Sequence, residues 1–172
     1  AKVIEAAIRK SIKKPTGELT KADLEKVKTL NIYNNKLTEI PNGLEKLTQL
    51  TRLNLGFNQL TDVTSLEKLT QLELEKLNLD YNKLTDVKGL EKLTQLTSLH
   101  LYGNKLTDVK GLEKLTQLTY LTLGGNQLTD LKGLEKLAQL TYLTLNYNQL
   151  TDLTGLEKLT QLTSLHLYGN KL

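Results

Sequence analysis

The sequence predicts an α/β solenoid, a right-handed curved superhelix of short stacked coils with a parallel sheet along its concave side. Three observations predict it. An asparagine recurs at spacings of 23, 24, 22, 22, 22 and 22 residues. Leucines keep fixed positions around each asparagine, and a segment of different pattern precedes the first one. One such coil cannot bury its own apolar side, whereas stacked coils share a continuous core.

The repeating unit is seen most clearly at 96–117, which reads LTSLHLYGNKLTDVKGLEKLTQ. Leu99 and Leu101 alternate with three outward residues, so a short strand points its leucines into the core. Each asparagine lies within LxxLxLxxNxL, which is the leucine-rich repeat pattern. Seven copies at this period predict seven parallel strands.

The recurring asparagine lies where the chain leaves the strand and turns. Backbone groups would be buried there without partners, and an amide side chain can both donate and accept hydrogen bonds. We therefore predict a structural ladder of stacked asparagines, and favour this role over a catalytic or glycan-bearing one. Its members are Asn35, Asn58, Asn82, Asn104, Asn126, Asn148 and Asn170.

The first 26 residues differ from the repeats. Ile4, Ile8 and Ile12 recur every four positions, which predicts one apolar face of an amphipathic helix. Thr20, followed three residues later by Asp23, predicts the N-terminus of a second helix. We expect residues 1–26 to form a helical cap and residues 27–172 to form seven repeats of one continuous domain, the last repeat truncated and without a C-terminal cap.

Composition excludes several classes of function. The sequence contains no cysteine, so disulfides, thiolate metal sites and thiol nucleophiles are absent. No apolar run is long enough to cross a membrane, so we expect no membrane insertion. The net charge is +4, and most of it lies in the cap. A basic helix can touch a membrane or a nucleic acid, but a solvated outer face is the favoured interpretation.

One irregularity interrupts the period. The segment 69–77 reads LTQLELEKL, with two residues more than the other repeats have. Insertions in repeat proteins usually emerge on one face. We predict that the sheet runs unbroken past residues 72–75.

The repeat LxxLxxLxLxxNxLTD(V/L)xxL resembles that of bacterial internalin-type leucine-rich proteins, and Ala6–Val27 resembles their helical cap. This resemblance implies short 3₁₀ segments on the convex side. It also implies a secreted or bacterial cell-surface protein whose signal has been removed, and which binds a protein partner through its concave sheet.

The outward positions of the strands vary between repeats, while the convex segment GLEKLTQL barely changes. All the tyrosines, the phenylalanine and both histidines fall in the strand segments. Exposed tyrosine suits binding surfaces, although it also favours strands and cross-strand stacking. The predicted partner-binding residues are Tyr33, Arg52, Asn54, Lys76, Asn78, Asp80, His100, Tyr102, Tyr120, Thr122, Tyr142, Thr144, Asn146, His166 and Tyr168.

The two histidines predict neither a metal site nor a catalytic one. His100 and His166 lie three repeats apart, roughly 14 Å by strand spacing, which is too far to share one ion. Ser98 and Asp80 lie near His100 in principle, but the sequence reveals no ordered nucleophile, base and acid. We therefore expect no enzyme activity, no cofactor and no metal.

Nucleic acid is an improbable partner. Basic residues line only one end of the concave sheet, at Lys28, Arg52 and Lys76. Gripping a phosphate backbone needs a longer basic track. We expect a protein partner and no nucleic acid.

Two alternatives concern the chain as a whole. Residues 89–106 and 155–172 are identical, which fits an engineered or truncated scaffold without its own ligand as well as recent duplication. The last repeat contains Leu162, Leu165, Leu167 and Leu172 and has no following coil to cover it. This arrangement predicts self-association through the uncapped end, with fraying of residues 162–172 as the alternative.

Overall fold

A computed structural model describes residues 2–172, so Ala1 of the predicted cap lies outside the described residues. Within this range seven parallel strands form one open curved sheet in chain order, which confirms the α/β solenoid. The strands are β1 Thr29–Asn31, β2 Arg52–Asn54, β3 Lys76–Asn78, β4 Ser98–His100, β5 Tyr120–Thr122, β6 Tyr142–Thr144 and β7 Ser164–His166.

Each strand is only three residues long, with a leucine at its centre. Leu99 of β4 pairs in register with Leu77 of β3 and Leu121 of β5, and all three are fully buried. Backbone pairing continues beyond the strand, since the Leu101 N–H donates to the Thr122 carbonyl at 2.9 Å. The core is therefore a series of stacked leucine layers that runs along the solenoid.

The convex side carries the 3₁₀ segments Leu44–Lys46, Thr64–Gln71, Leu112–Lys114, Leu134–Lys136 and Leu156–Lys158. Four of them follow a glycine with positive φ, as at Gly111 with φ 102°. The Gly111 N–H donates to Glu113 Oε2 at 2.6 Å. Comparable bonds recur in other repeats, so the uniform convex charges help to hold the turns.

The added residues lie between the 3₁₀ segment Thr64–Gln71 and β3, and the predicted continuity of the sheet at 72–75 is confirmed. β2 and β3 pair without a break. Thr64–Gln71 is an eight-residue 3₁₀ segment, and Leu72 and Leu74 are both buried. A Cβ at Gly89 would lie 2.6 Å from Thr64 Cα, so the lengthened segment leaves room only for glycine there.

Two helices precede β1, namely α1 Lys2–Ile12 and α2 Lys21–Leu24. Ile4 and Ile8 of α1 are buried, and α1 packs against β1. Ser11 Oγ donates to the Thr29 carbonyl at 2.8 Å. The helix thus lies along the outer edge of β1, where unpaired strand groups would invite aggregation. The division into a cap and a repeat region stays a prediction.

The predicted capping box of α2 is present. The Asp23 N–H donates to Thr20 Oγ1, and the Thr20 N–H donates to Asp23 Oδ2. Lys14 Nζ lies 2.7 Å from the same carboxylate. The Lys14 bond, followed by those from Thr20, holds the pKa of Asp23 well below its usual range. No helix between residues 2 and 172 combines the length and the apolar character needed to cross a membrane.

Candidate functional site

The asparagines join neighbouring repeats through their side-chain amides. Asn104 Nδ2 donates to the Leu79 carbonyl at 3.0 Å and to the Leu101 carbonyl at 3.2 Å, while Oδ1 accepts from the Leu84 N–H at 3.1 Å. The amides of Asn58, Asn82, Asn126, Asn148 and Asn170 bond in the same way.

Asn35 differs from the other members. Its side chain is exposed, and Nδ2 donates to the Tyr33 carbonyl of its own repeat at 2.8 Å. Asn35 belongs to the first repeat, so no earlier repeat offers a carbonyl to its side-chain amide. The amides that bridge two repeats are therefore bound into the scaffold rather than offered to a ligand.

Aromatic rings form two rows on the concave side. The inner row consists of His100, Tyr120, Tyr142 and His166. Its central tyrosines are stacked, with ring centroids 4.3 Å apart and planes 2° from parallel. The histidines lie 4.9 Å and 5.6 Å from the neighbouring tyrosine centroids. Neighbouring rings of this kind restrict one another, so the row presents a stiff surface.

The outer row consists of Tyr33, Phe57, Tyr81 and Tyr102, with successive centroids 4.9, 4.3 and 5.4 Å apart. A separate pair, Tyr147 and Tyr168, continues it further along the sheet at 4.9 Å. Gly124 and Gly125 lie in the gap. A Cβ at Gly124 would lie 2.6 Å from the Tyr102 ring, so this glycine provides the space in which the ring lies.

Three of these aromatic residues were not predicted as contacts. Phe57, Tyr81 and Tyr147 are about half exposed, at 43%, 46% and 55%, with φ of 54°, 52° and 57°. The sequence did contain a signal for left-handed backbone at this position, because glycine occupies the equivalent position in other repeats. These glycines are Gly103, Gly125 and Gly169.

A cleft of about 430 Å³ lies between the two rows. Three of its lining residues, Thr122, Thr144 and Asn146, are only 8%, 7% and 4% exposed. They were predicted to contact a partner, but the surrounding side chains cover them, so a ligand reaches them only through the cleft. Thr144 Oγ1 is buried and has no hydrogen-bond partner within residues 2–172.

Asp80 supplies the carboxylate of the cleft. Its Oδ1 accepts from the Tyr102 N–H at 2.7 Å and from the Thr122 hydroxyl at 3.4 Å. Its Oδ2 lies 3.7 Å from His100 Nδ1. Burial raises the pKa of Asp80, against the opposing effects of the Tyr102 N–H, His100 and Thr122. Burial lowers the pKa of His100, and Asp80 only partly offsets this effect.

The fold brings Ser98, His100 and Asp80 closer together than the sequence suggested. Ser98 Oγ lies 3.2 Å from His100 Nε2. The 3.7 Å separation from Asp80 is nevertheless too long for the hydrogen bond that orients a catalytic base.

The backbone donors around this trio are also engaged. The Ser98 N–H donates to the Glu75 carbonyl at 3.1 Å, and the Tyr120 N–H donates to the Thr97 carbonyl at 3.1 Å. An oxyanion hole needs such donors free. No group of three or more metal-ligating side chains occurs in the part of the chain that the structure describes.

The remaining predicted residues lie around the cleft. Arg52 and Lys76 are exposed at the first position of β2 and β3. Asn54 and Asn78 accept hydrogen bonds from the Gly56 and Asp80 N–H groups at 3.0 and 2.8 Å, so their amides hold the following turn. Tyr33, His166 and Tyr168 are exposed.

A family model described as Leucine Rich repeats (2 copies) matches residues 25–71, 72–114, 94–136, 116–158 and 138–172. A curated yeast protein, the protein phosphatase 1 regulatory subunit SDS22 of Saccharomyces cerevisiae, is 32% identical over 65 residues. That match covers 38% of this chain and 19% of the yeast protein.

Solved structures match almost the whole chain. An internalin (inlF) of Listeria monocytogenes has a TM-score of 0.78 at 31% identity, over 98% of this chain and 56% of that one. Internalin C2 of the same species has a TM-score of 0.75 at 31% identity, over 98% and 84%. A leucine-rich repeat protein of Leptospira interrogans has a TM-score of 0.78 at 34% identity, over 85% and 38%.

Proposed function

Because the chain belongs to the leucine-rich repeat family and is of the internalin type, we propose that it is a protein-binding module that contacts its partner through the concave side. The yeast relative is named as a regulatory subunit of a phosphatase, which accords with a role in protein interaction. The similar bacterial structures support a surface or secreted location. We also propose that the protein has no catalytic activity.

One observation carries this proposal. Phe57, Tyr81 and Tyr147 occupy a left-handed backbone slot at which glycine is the unstrained choice. A non-glycine residue held in this conformation costs on the order of 1 kcal/mol, and these three also expose large rings. Contacts with neighbouring rings offset part of this cost, but they leave about half of each residue exposed. Exposed rings on a stiff sheet do supply contact area with few rotors to immobilise.

The test is site-specific photo-crosslinking. A photoreactive phenylalanine analogue replaces Tyr81, which is exposed on the concave side, and in a matched variant it replaces Lys114 on the convex side. Both variants are exposed to an extract of surface proteins, and each adduct is identified and then purified. We expect an adduct from position 81, and we expect the purified partner to bind the unmodified chain.

A second set of variants assigns the contact. Tyr102, Tyr120, Tyr142 and Tyr168 are changed together to alanine, and binding of the purified partner is measured by calorimetry. We expect the affinity to fall by at least about a hundredfold, since truncating buried aromatic anchors commonly costs 2 kcal/mol or more. An adduct that forms only from position 114, or a quadruple variant that binds as tightly as the parent, overturns the proposal.

A scaffold without its own ligand is the second candidate. The identity of residues 89–106 and 155–172 favours it, because a surface selected for one partner tends to diverge between repeats. Under this alternative neither crosslinking variant gives a specific adduct.

A further inference from the structure

The floor of the cleft has unfilled hydrogen-bonding capacity. Within residues 2–172 the hydrogen bonds to the Asp80 carboxylate go to Oδ1, and Oδ2 lies 3.7 Å from His100 Nδ1. Thr144 Oγ1 is buried without a partner. A half-buried carboxylate oxygen and a buried hydroxyl are costly to leave unpaired. Both residues line the same cleft, but the Thr144 oxygen is almost inaccessible, so the Asp80 carboxylate is the acceptor that a ligand can reach.

The repeat geometry explains why Thr144 is unpartnered. Thr122 reaches Asp80, which lies 42 residues earlier in the chain. The residue 42 positions before Thr144 is Tyr102. The Tyr102 side chain instead lies against Gly124, close to Asn146. The Thr144 hydroxyl is consequently left without a partner.

The chemistry of the cleft favours a cation. Asp80 is the one acidic residue in the outward strand positions, and its side chain is 20% exposed, so water screens its charge poorly. Tyrosines lie on both sides of it, in the stacked inner row and the outer row. Aromatic faces attract cations, and a planar guanidinium also stacks on them.

We propose that the cleft binds an arginine side chain of the protein partner, with its guanidinium against Asp80 and between the tyrosines. This inference rests on the proposed function, since it names the group that the partner inserts. Arginine suits the site better than lysine because its planar guanidinium can donate to the carboxylate and stack on a tyrosine ring at once.

The test uses N-acetyl-arginine amide as the probe, with the corresponding citrulline compound as its neutral isostere. Titration is followed by the amide NMR signals of the full chain. We expect saturable shifts centred on Tyr102, whose N–H donates to Asp80, and weaker shifts with citrulline. Asp80→Asn keeps an oxygen acceptor but removes the charge. We expect it to weaken arginine binding by about tenfold or more, since charge-assisted hydrogen bonds exceed neutral ones.

Glu67→Gln is the matched control, because it removes one exposed carboxylate from the convex side and should leave binding unchanged. A thermal melt shows whether each variant is folded. Equal shifts with citrulline, or an Asp80→Asn variant that binds as well as the parent, overturn the proposal. Tighter binding of a neutral sugar such as N-acetylglucosamine also overturns it.

The arginine titration and the crosslinking experiment together distinguish failure of this proposal from failure of the proposed function. If Tyr81 captures a partner but arginine causes no shift at Tyr102, the concave interface stands and the arginine pocket fails. If arginine binds but no partner contacts the concave side, the proposed function fails.

Discussion

Residues 89–106 and 155–172 share one sequence but have different surroundings. Leu99 is 0% exposed because repeats lie on both sides of it, whereas the equivalent Leu165 is 39% exposed in the seventh repeat. The tripeptide SLH forms a strand in both places. Local sequence is sufficient for the strand, but burial of its leucine depends on the neighbouring coils.

The histidines of the two stretches differ for the same reason. His100 lies between Asp80 and the Tyr120 ring, and His166 lies beside Tyr142 on a strand whose preceding repeat supplies Asn146 instead of Asp80. Ser98 and Ser164 contact their histidines at nearly equal distances, 3.2 and 3.1 Å. The serine–histidine contact within one strand therefore occurs in both stretches, while the contact with an aspartate of the preceding repeat occurs only at His100.

The largest difference is expected in the leucines. Leu99→Ala should lower the free energy of unfolding by about 2–5 kcal/mol, because it leaves a cavity in a closed core. Leu165→Ala removes a partly exposed side chain and should cost about 1 kcal/mol. Urea denaturation of both variants measures the difference. Equal costs would mean that the last repeat is as well covered as the fourth.

A smaller difference in the free energy of unfolding is expected within the asparagine ladder. Asn104 and Asn170 make corresponding amide bonds, but Asn104 is buried and Asn170 is half-buried. Asn104→Ala should cost about 1–3 kcal/mol, since it leaves backbone groups buried without partners. Asn170→Ala should cost less, because water can reach the freed groups. Denaturation curves of the two variants give the comparison, and a larger loss at Asn170 would contradict it.

Asp80→Asn makes the surroundings of His100 more like those of His166. Burial already lowers the pKa of His100, and Asp80 opposes that effect. The substitution should therefore lower the pKa of His100 further, because it removes the nearby negative charge. An NMR titration of the imidazole carbons measures the shift. A rise in the pKa would show that Asp80 does not act on His100 as a charge.

The same change has a consequence for stability. Above its ordinary pKa of 6.5 the histidine is neutral in both the folded and the unfolded chain, so its lowered folded pKa does not reduce stability there. As the pH falls below 6.5 the unfolded chain takes up the proton first, and stability is lost. Asp80→Asn should enlarge this loss below pH 6.5, because it lowers the folded pKa of His100 further. Asp80 itself contributes in the opposite sense, because burial raises its pKa and its protonation restores stability.

The smallest contrast concerns the convex surface. Lys92 Nζ lies 3.3 Å from Glu67 Oε2, and both side chains are largely exposed. Lys92→Ala should change stability by less than about 0.5 kcal/mol, as is usual for exposed pairs. The equivalent substitution Lys158→Ala should match it within error. A loss above about 1 kcal/mol at Lys92 alone would mean that the pair supports the lengthened segment Thr64–Gln71.

The sequence by itself determined the solenoid. Its leucines and asparagines recur at a fixed period, and only stacked coils bury them together, so strand order and register follow from residues such as Leu99 and Asn104. The structural position of the insertion could not be predicted as fully from the sequence. The sequence placed two added residues near 72–75, but only the structure shows that they follow the 3₁₀ segment Thr64–Gln71, with Leu72 and Leu74 buried, and leave the sheet intact.

Only the tertiary structure decided the candidate site. Tyr102 contacts Gly124 and Asn146, which belong to the next two repeats, and Thr122 reaches Asp80 across 42 residues. A repeat pattern specifies which side of the sheet a residue faces, since that depends on alternation along one strand. It does not specify which ring covers which threonine, because that depends on the volumes of side chains in neighbouring coils. The burial of Thr144 and Asn146, and the exposure of Phe57, follow from that packing.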